Sequence, residues 1–427
     1  YENEILSYRD EKYYFDLDAV EDIEISDVIF ENVYRYLSKK ERYLAILGQK
    51  FYESEIKSLE SLLNVKFELS GLISEGIIYK EYNRFRFALK QYWEILYSSI
   101  TEDERTNLHK QLSNIIADPE KKAWHLEIIG ETMSAVTVYL KNIYERFNYY
   151  SSPSLVRSLI EHVKDMIGDR VSYSVIKFEV ELAERTEELN GIQDLEIPDT
   201  ELYSYYKALR SYITFDNEES IEILERYPTG YGRFGALKRK LLYLRARFEK
   251  ERRRADFYGE TVEIISQLDE KNFLHAKILV EAYIFLSNLM STNPQGSMKY
   301  LKIAEKIALD YNIAHRLPTI YNNMSVNASS AVISMEYLRK SMETAERIGL
   351  PARGFYARLN MLYHALYSGN IKEFVDGIME IRPKLKILGL RNELIYSNIL
   401  EAYYHAYNFE LDEALEHIDE CVNVYKE

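Results

Sequence analysis

The chain has 427 residues, of which 47% are hydrophobic and 29% charged, the balance of a folded globular protein rather than a disordered one. Its formal net charge of −15 opposes nucleic acid and anionic membranes except through a local basic patch. With 16 Gly, 8 Pro and the single Cys421, the composition argues against a turn-rich β protein and excludes an internal disulfide or a cysteine-built metal site. No stretch of 18 apolar residues occurs, since even the run from 278 to 290 is interrupted by Glu281. The first residues, Tyr1-Glu2-Asn3-Glu4, carry neither a basic nor an apolar leader pattern, so a cytoplasmic protein is expected.

Residues 1–29 are acidic and short-patterned, with a brief strand expected around Tyr13-Tyr14-Phe15-Asp16-Leu17. They read as the tail of an upstream module, so the chain is expected to be a fragment of a longer one. From 29 to 47 apolar residues recur three and four apart (Ile29, Val33, Tyr36, Leu37, then Tyr43, Leu44, Leu47), predicting two amphipathic helices. Short helices follow over 55–63 and 69–75. Ile77-Ile78-Tyr79 and Arg84-Phe85-Arg86-Phe87 then flank a charged tip, and alternation puts Phe85 and Phe87 on one face. Three helices closed by a β-hairpin make a winged helix, assigned to residues 30–98. Its expected recognition helix, over 65–76, carries Lys66 against Glu68 and Glu75, too few cations to hold DNA phosphates, so a protein contact is expected instead.

Residues 99–427 read as helix after helix, broken at Asp118-Pro119, Gly130, Pro153, Pro228, Asn293-Pro294, Pro318, Gly349, Gly369 and Gly389. The fold class expected is all-α: a superhelix of paired helices, a tetratricopeptide-like solenoid, preceded by a small winged helix. A repeat is visible in the last third. Ile307-Ala308-Leu309, Ile348-Gly349-Leu350 and Leu388-Gly389-Leu390 mark equivalent helix ends, at offsets of 348 − 307 = 41 and 388 − 348 = 40. A helix pair of this kind cannot bury its own apolar face, so stacking is obligatory.

The order of parts resembles the signal-transduction ATPases with numerous domains, in particular the maltose-regulon-activator-like members. The matching segments are Ile23-Glu24-Ile25-Ser26-Asp27-Val28-Ile29, Tyr36-Leu37-Ser38-Lys39-Lys40-Glu41-Arg42 and Leu47-Gly48. They continue with Leu72-Ile73-Ser74-Glu75-Gly76-Ile77-Ile78, Arg84-Phe85-Arg86-Phe87-Ala88-Leu89, Leu108-His109 and Ala123-Trp124-His125-Leu126. Ser26 stands where the family often has proline, and Phe87 where it usually has histidine. The resemblance covers roughly residues 20–150 by motif and the remainder by architecture. It implies an ATPase module upstream of Tyr1; no phosphate loop of the Gly-x-x-x-x-Gly-Lys-Ser/Thr type occurs here, so ATP hydrolysis does not carry over. It also implies a switch, in which the helical array senses a protein or peptide partner or a small-molecule inducer and the winged helix transmits the signal.

No catalytic constellation emerges, no cofactor is implied, and the chain reads as a binding protein rather than an enzyme. The eight histidines include no pair at i, i+4, and His109 and His125 read as packing residues. Gly230-Tyr231-Gly232-Arg233-Phe234-Gly235 matches G-x-G-x-x-G literally, but lies between helices and lacks the strand a dinucleotide site needs. From 233 to 254 ten basic residues meet only Glu249 and Glu251, a local net of +8. Lys238, Arg245 and Arg252 fall seven apart on one face, and Arg233 stands at the helix start. Either this face is neutralised by acidic neighbouring helices, or it binds a phosphate, a nucleic acid or an acidic partner. In the repeats, Asn323, His364 and Tyr404 occupy equivalent first-helix positions and are candidates for the concave binding face, with core packing as the competing role. The alternative to a sensor is a stand-alone scaffold for protein complexes.

Overall fold

The computed structural model describes residues 6–9, 12–15, 33, 35–37, 39–149, 153–168, 170, 172–186, 192–228, 232–251 and 254–426. Residues 23–29, Arg252 and Gly230-Tyr231 therefore lie outside the described residues. The chain forms two compact units, residues 1–142 and 143–427.

The first unit opens with an antiparallel hairpin of β1 (Leu6–Arg9) and β2 (Lys12–Phe15). The second of the two amphipathic helices expected before residue 47 is a 3-10 helix, Lys40–Leu47, ended by Gly48 at φ 90°. Next come β3 (Lys50–Tyr52), α1 (Glu53–Leu63), α2 (Leu69–Ser74), β4 (Ile78–Glu81) and β5 (Arg84–Phe87). The strands pair antiparallel in the order β3-β5-β4, with Phe51 opposite Phe85 and Ile78 opposite Phe87. Phe85 and Phe87 share the buried face, as the alternation requires, and Phe51 stacks on Phe85 at 5.9 Å. Sequence periodicity places a division at 98, but the core does not stop there. Leu96 of α3 (Lys90–Ser98), Ile100, and Leu108 and Leu112 of α4 (Glu102–Ile115) pack into one cluster with Leu44, Phe51, Leu59 and Phe85. The next helix, α5 (Pro119–Ile128), is bolted to the same body through Lys121, whose Nζ donates to the carbonyls of Leu47 (2.9 Å) and Lys50 (2.6 Å).

A long helix, α6 (Thr132–Tyr149), leads into the second unit, which is helical throughout its described residues: α7 (Pro153–Ile167), α8 (Tyr173–Thr186), α9 (Ser204–Ile213), α10 (Asn217–Arg226), α11 (Gly232–Glu251), α12 (Arg254–Ser266), α13 (Phe273–Leu289) and α14 (Pro294–Asp310). A 3-10 turn, Ala314–Arg316, then precedes α15 (Leu317–Val326), α16 (Ala331–Ile348), α17 (Pro351–Tyr367), α18 (Ile371–Ile387), α19 (Arg391–Tyr407) and α20 (Leu411–Lys426). The unit is an all-α superhelix. Its most deeply buried element is α13, whose apolar residues 278–280 and 282–286, on either side of Glu281, pack against neighbours on several sides, which explains hydrophobicity almost all round this helix. No helix among the described residues is long and apolar enough to cross a membrane.

Helix starts confirm the 40-residue repeat at the end of the chain: 371 − 331 = 40, 411 − 371 = 40 and 391 − 351 = 40. Left-handed residues close successive helices at Gly349, Gly369, Gly389 and Phe409, each 20 apart. One step earlier the register differs. The left-handed residue closing α14 is Asn312, and 349 − 312 = 37. The same closing hydrogen bond, Ile313 N to Ala308 O and Leu350 N to Ala345 O, is again 37 apart. The offset of 41 read from the sequence is thus four residues too long. A four-residue slip is about one helical turn, so the apolar pattern stays in phase and periodicity alone does not expose it.

Two glycines test the packing in opposite directions. A methyl at Gly377 in α18 would overlap the fully buried Leu362 side chain of α17, whereas one at the exposed Gly259 in α12 meets nothing within 4 Å. Gly377→Ala is expected to destabilise the superhelix by about 1–3 kcal/mol. Gly259→Ala should instead stabilise it by up to about 1 kcal/mol through helix propensity. Denaturant titration of both variants checks the pair; equal effects would contradict this packing.

Candidate functional site

The basic helix α11 meets acids supplied by its neighbours. Lys238 lies 3.5 Å from Glu181 of α8 and over the ring of Tyr205 at 4.2 Å. Arg245 lies 3.3 Å from Glu281 of α13 and over the ring of Tyr212 at 4.9 Å. Arg316, 9% exposed, pairs with Glu184 of α8 at 2.9 Å and with Glu281. Burial opposes the charge on Glu184, but Arg316, Arg245 and Lys238 outweigh it and hold the carboxyl below its ordinary value. Burial likewise opposes the charge of Lys238, and Tyr205, Glu181 and Glu184 overcome it and raise its pKa.

The remaining cations of the helix are engaged too. Arg239 is buried and donates to the carbonyls of Tyr227 and Glu201 and to Ser204. Lys240 pairs with Glu263, Arg247 with Glu251 and Lys250 with Glu218, each within 3 Å. The side chain of Arg233, like Arg252, lies outside the described residues. Of the two readings of the basic run, neutralisation by acidic neighbours is the one these contacts support. An isolated charge does not survive burial, so a cation-rich helix placed inside a superhelix draws carboxylates to it.

Next to this network lies a chamber of about 250 Å³. Arg245, Glu281, Arg316 and Arg353 supply charged walls, and Tyr212, Asn288, Asn322, Asn323 and Tyr356 supply polar and aromatic ones. The asparagines are linked in two chains. Asn323 Nδ2 donates to Asn288 Oδ1 (3.2 Å), while Tyr396 Oη and Asn322 are bridged by Asn360, which accepts from the first and donates to the second, both at 2.7 Å. The backbone register makes Asn360, 37 residues on, the equivalent of Asn323; the sequence offset of 41 selects His364 instead. Asn323 does line the chamber. His364 contacts Ser334 at 3.0 Å and joins α17 to α16, and Tyr404 packs on the Phe374 ring at 5.6 Å within the core. For those two residues helix packing, not the chamber, is the observed role. A side-chain amide offers a donor and an acceptor side by side, as a peptide group does, so the chamber can hydrogen-bond a small polar molecule or a peptide segment.

The first unit brings together two histidines that sequence spacing does not link. His109 Nδ1 of α4 and His125 Nδ1 of α5 are 2.6 Å apart, and Tyr97 Oη is 3.0 Å from His109 Nε2. Both imidazoles are fully buried, and burial lowers their pKa values to about 4 and about 3. Neutral imidazoles can share one hydrogen bond in which one donates and the other accepts, so this is a structural contact between helices. Among the described residues no group of three or more His, Cys, Asp or Glu side chains is arranged to hold a metal.

No protein-family model matches the chain, and no curated protein matches its sequence. Solved structures do match in fold. The crystal structure of the signal transduction ATPase with numerous domains (STAND) protein with a tetratricopeptide repeat sensor from Pyrococcus horikoshii is 12% identical, with a TM-score of 0.51. The match covers 94% of this chain and 66% of that one. A Rap protein complexed with competence and sporulation factor is 9% identical, with a TM-score of 0.43, over 69% of this chain and 98% of that one. At these identities the likeness to the STAND protein is one of fold, a helical-repeat superhelix of the tetratricopeptide type.

The buried ion network makes a stability prediction. Arg316→Ala leaves Glu184 and Glu281 with Arg245 alone between them and should cost about 3–5 kcal/mol. Lys250→Ala, which breaks an exposed pair, should cost nothing measurable. Because Glu184 titrates below the ordinary 4.5, its contribution is complete above that pH and is lost as pH falls through the lower folded-state value. Denaturant midpoints of wild type and Arg316→Ala measured from pH 7 to pH 3 should therefore converge toward the acid end. A constant gap would assign the loss to packing instead of charge.

Proposed function

We propose that this chain is the sensing and protein-interaction part of a signal-transduction ATPase. It acts by binding in the cytoplasm, with the ATPase module elsewhere in the full-length protein. The observation that carries the reading is the chamber of the superhelix. It has charged walls held by buried ion pairs and amide groups of Asn288, Asn322 and Asn323 presented together. Its 250 Å³ suits the end or one side chain of a peptide, or a small polar inducer, being just below the usual range for small-molecule sites.

We read the 3-10 helix, α1 and α2 with the three-stranded sheet as the winged helix, a reading their order along the chain supports, and assign it the relay role. Exposed cations on α2 are wanting: Leu69–Ser74 contains no Lys or Arg. That supports a protein contact over DNA for this module. Occupation of the chamber would shift an equilibrium between two arrangements of the ATPase, by as much as the ligand's preference for one of them. A stand-alone scaffold binds the same kinds of partner without that shift.

A thermal-shift screen of the chain against short peptides, sugars and nucleotides is the test. A ligand of the chamber should raise the melting temperature in proportion to the logarithm of its concentration. Replacing Asn288 and Asn323 together by Leu should weaken it about tenfold or more, the cost of one to two lost hydrogen bonds. Binding that survives the double replacement would place the input elsewhere.

A further inference from the structure

The chamber holds more hydrogen-bond donors than its own walls use. Arg245 of α11 lies 3.3 Å from Glu281 and 4.0 Å from Glu184, but these contacts are ionic, and among the described residues its guanidinium makes no hydrogen bond. Arg239 of the same helix, by contrast, donates to two carbonyls and a hydroxyl, and Arg316 donates to Glu184. The Tyr212 ring lies against the Arg245 guanidinium at 4.9 Å, and 20% of the side chain stays exposed where it lines the chamber.

Two amides add to this surplus. Asn322 Oδ1 accepts from Asn360 and Asn288 Oδ1 accepts from Asn323, so the Nδ2 groups of Asn322 and Asn288 have no acceptor among the described residues. The acceptors are mostly taken. Glu281 faces both Arg316 and Arg245, and Pro318 O accepts from the Ser341 hydroxyl. Of the three lining asparagines only Asn323 keeps an uncommitted amide oxygen, and the Thr319 hydroxyl, buried without a partner, can serve either way. Donors left unmet in a partly desolvated wall are costly, and a group with several acceptor oxygens close together meets most of them at once.

We propose that the chamber recognises an oxyanion of its ligand, a carboxylate or phosphate group, with Arg245 as the fork that takes two of its oxygens and the amides of Asn288 and Asn322 as flanking donors. A planar guanidinium presents paired N–H groups at the spacing of such oxygens, and charge-assisted hydrogen bonds are the stronger kind. The wall charges allow it. Arg245, Arg316 and Arg353 line the chamber against Glu249 and Glu281, and Arg316 holds both Glu281 and the Glu184 carboxylate beside it. The inference rests on the chamber being the binding site, as proposed above, and adds the chemical class of what binds there.

The test is affinity selection on the whole chain with three libraries of peptides of about six residues. The first lacks Asp and Glu and is amidated at its C-terminus; the second differs only in a free C-terminal carboxylate; the third is amidated and carries one Glu. The second or third should be retained at least about tenfold more than the first. In a chain of net charge −15 a general charge effect would favour the first, so this preference reports the site. Succinate and inorganic phosphate separate the sources: displacement of retained peptides with a raised melting temperature identifies a free small anion, and neither effect identifies a carboxylate carried by a peptide. Arg245→Lys keeps the charge that faces Glu184 and Glu281 but loses the fork, and should cut the preference about tenfold with an unchanged circular dichroism spectrum. A preference that survives Arg245→Lys overturns the proposal. Equal retention of the three libraries, abolished by Asn288→Leu with Asn323→Leu, overturns the oxyanion and leaves the chamber as the binding site. Equal retention that those replacements do not change, or no response to any probe, overturns both readings.

Discussion

Arg316 is the side chain on which the second unit's interior depends. It binds Glu184, 132 residues before it in the chain, and Glu281 at the same time, and these carboxylates also face Arg245. Four charges from α8, α11, α13 and the 3-10 turn thus cancel in one place. A buried charge without a partner costs several kcal/mol, so none of the four elements can shift without stranding a charge on another. Helical repeats ordinarily touch only their neighbours in the series. Here an ion network adds a contact between helices far apart in sequence and fixes the wall that Arg245, Glu281 and Arg316 give to the chamber.

Much of the helix punctuation was legible because it rests on residues with few alternatives. Pro153, Pro294 and Pro351 open helices at positions where a missing N–H costs nothing, and Gly349, Gly369 and Gly389 close them in the left-handed conformation. Where the closing residue is not glycine, the signal weakens. Asn312 and Phe409 adopt the same conformation, at φ 53° and 64°; Phe409 is placed only by its 40-residue offset from Gly369, and asparagine marks a helix end less sharply than glycine. That is why the register slipped at Asn312 and held at Gly349. Strand β3 was missed for a related reason: Lys50-Phe51-Tyr52 is too short for alternation to show, and it exists because Phe51 pairs with Phe85.

The site was harder to read than the fold. Periodicity identified first-helix positions, but a chamber wall depends on which turn of each helix comes level with which turn of its neighbour. An error of one turn exchanged Asn360 for His364. The basic helix shows the complementary limit. Its seven cations announce that something unusual happens there, yet the partners of Lys238 and Arg245 come from α8 and α13, which no local window connects. Likewise His109 and His125 sit 16 residues apart on different helices, and only the packing of α4 on α5 sets them ring to ring.

Charge in the second unit is divided by location. Cations concentrate in α11 and its surroundings, enough that burial, with Arg185 adding to it, lowers Lys277 to a pKa of about 8 despite Glu181 nearby. At the other end, Asp412, Glu413, Glu416, Asp419 and Glu420 crowd α20, and among the described residues Arg382 pairs with Glu420 alone of these five. The interior is a place where charge fixes geometry, because desolvation makes every mispairing expensive. The carboxylates of Asp412, Glu416 and Asp419 are exposed, so their charge costs little to keep. The two regions therefore suit different tasks. A chamber walled by the paired, immobile charges of Arg245, Glu281 and Arg316 discriminates by shape and hydrogen bonding, whereas exposed carboxylates act through their charge.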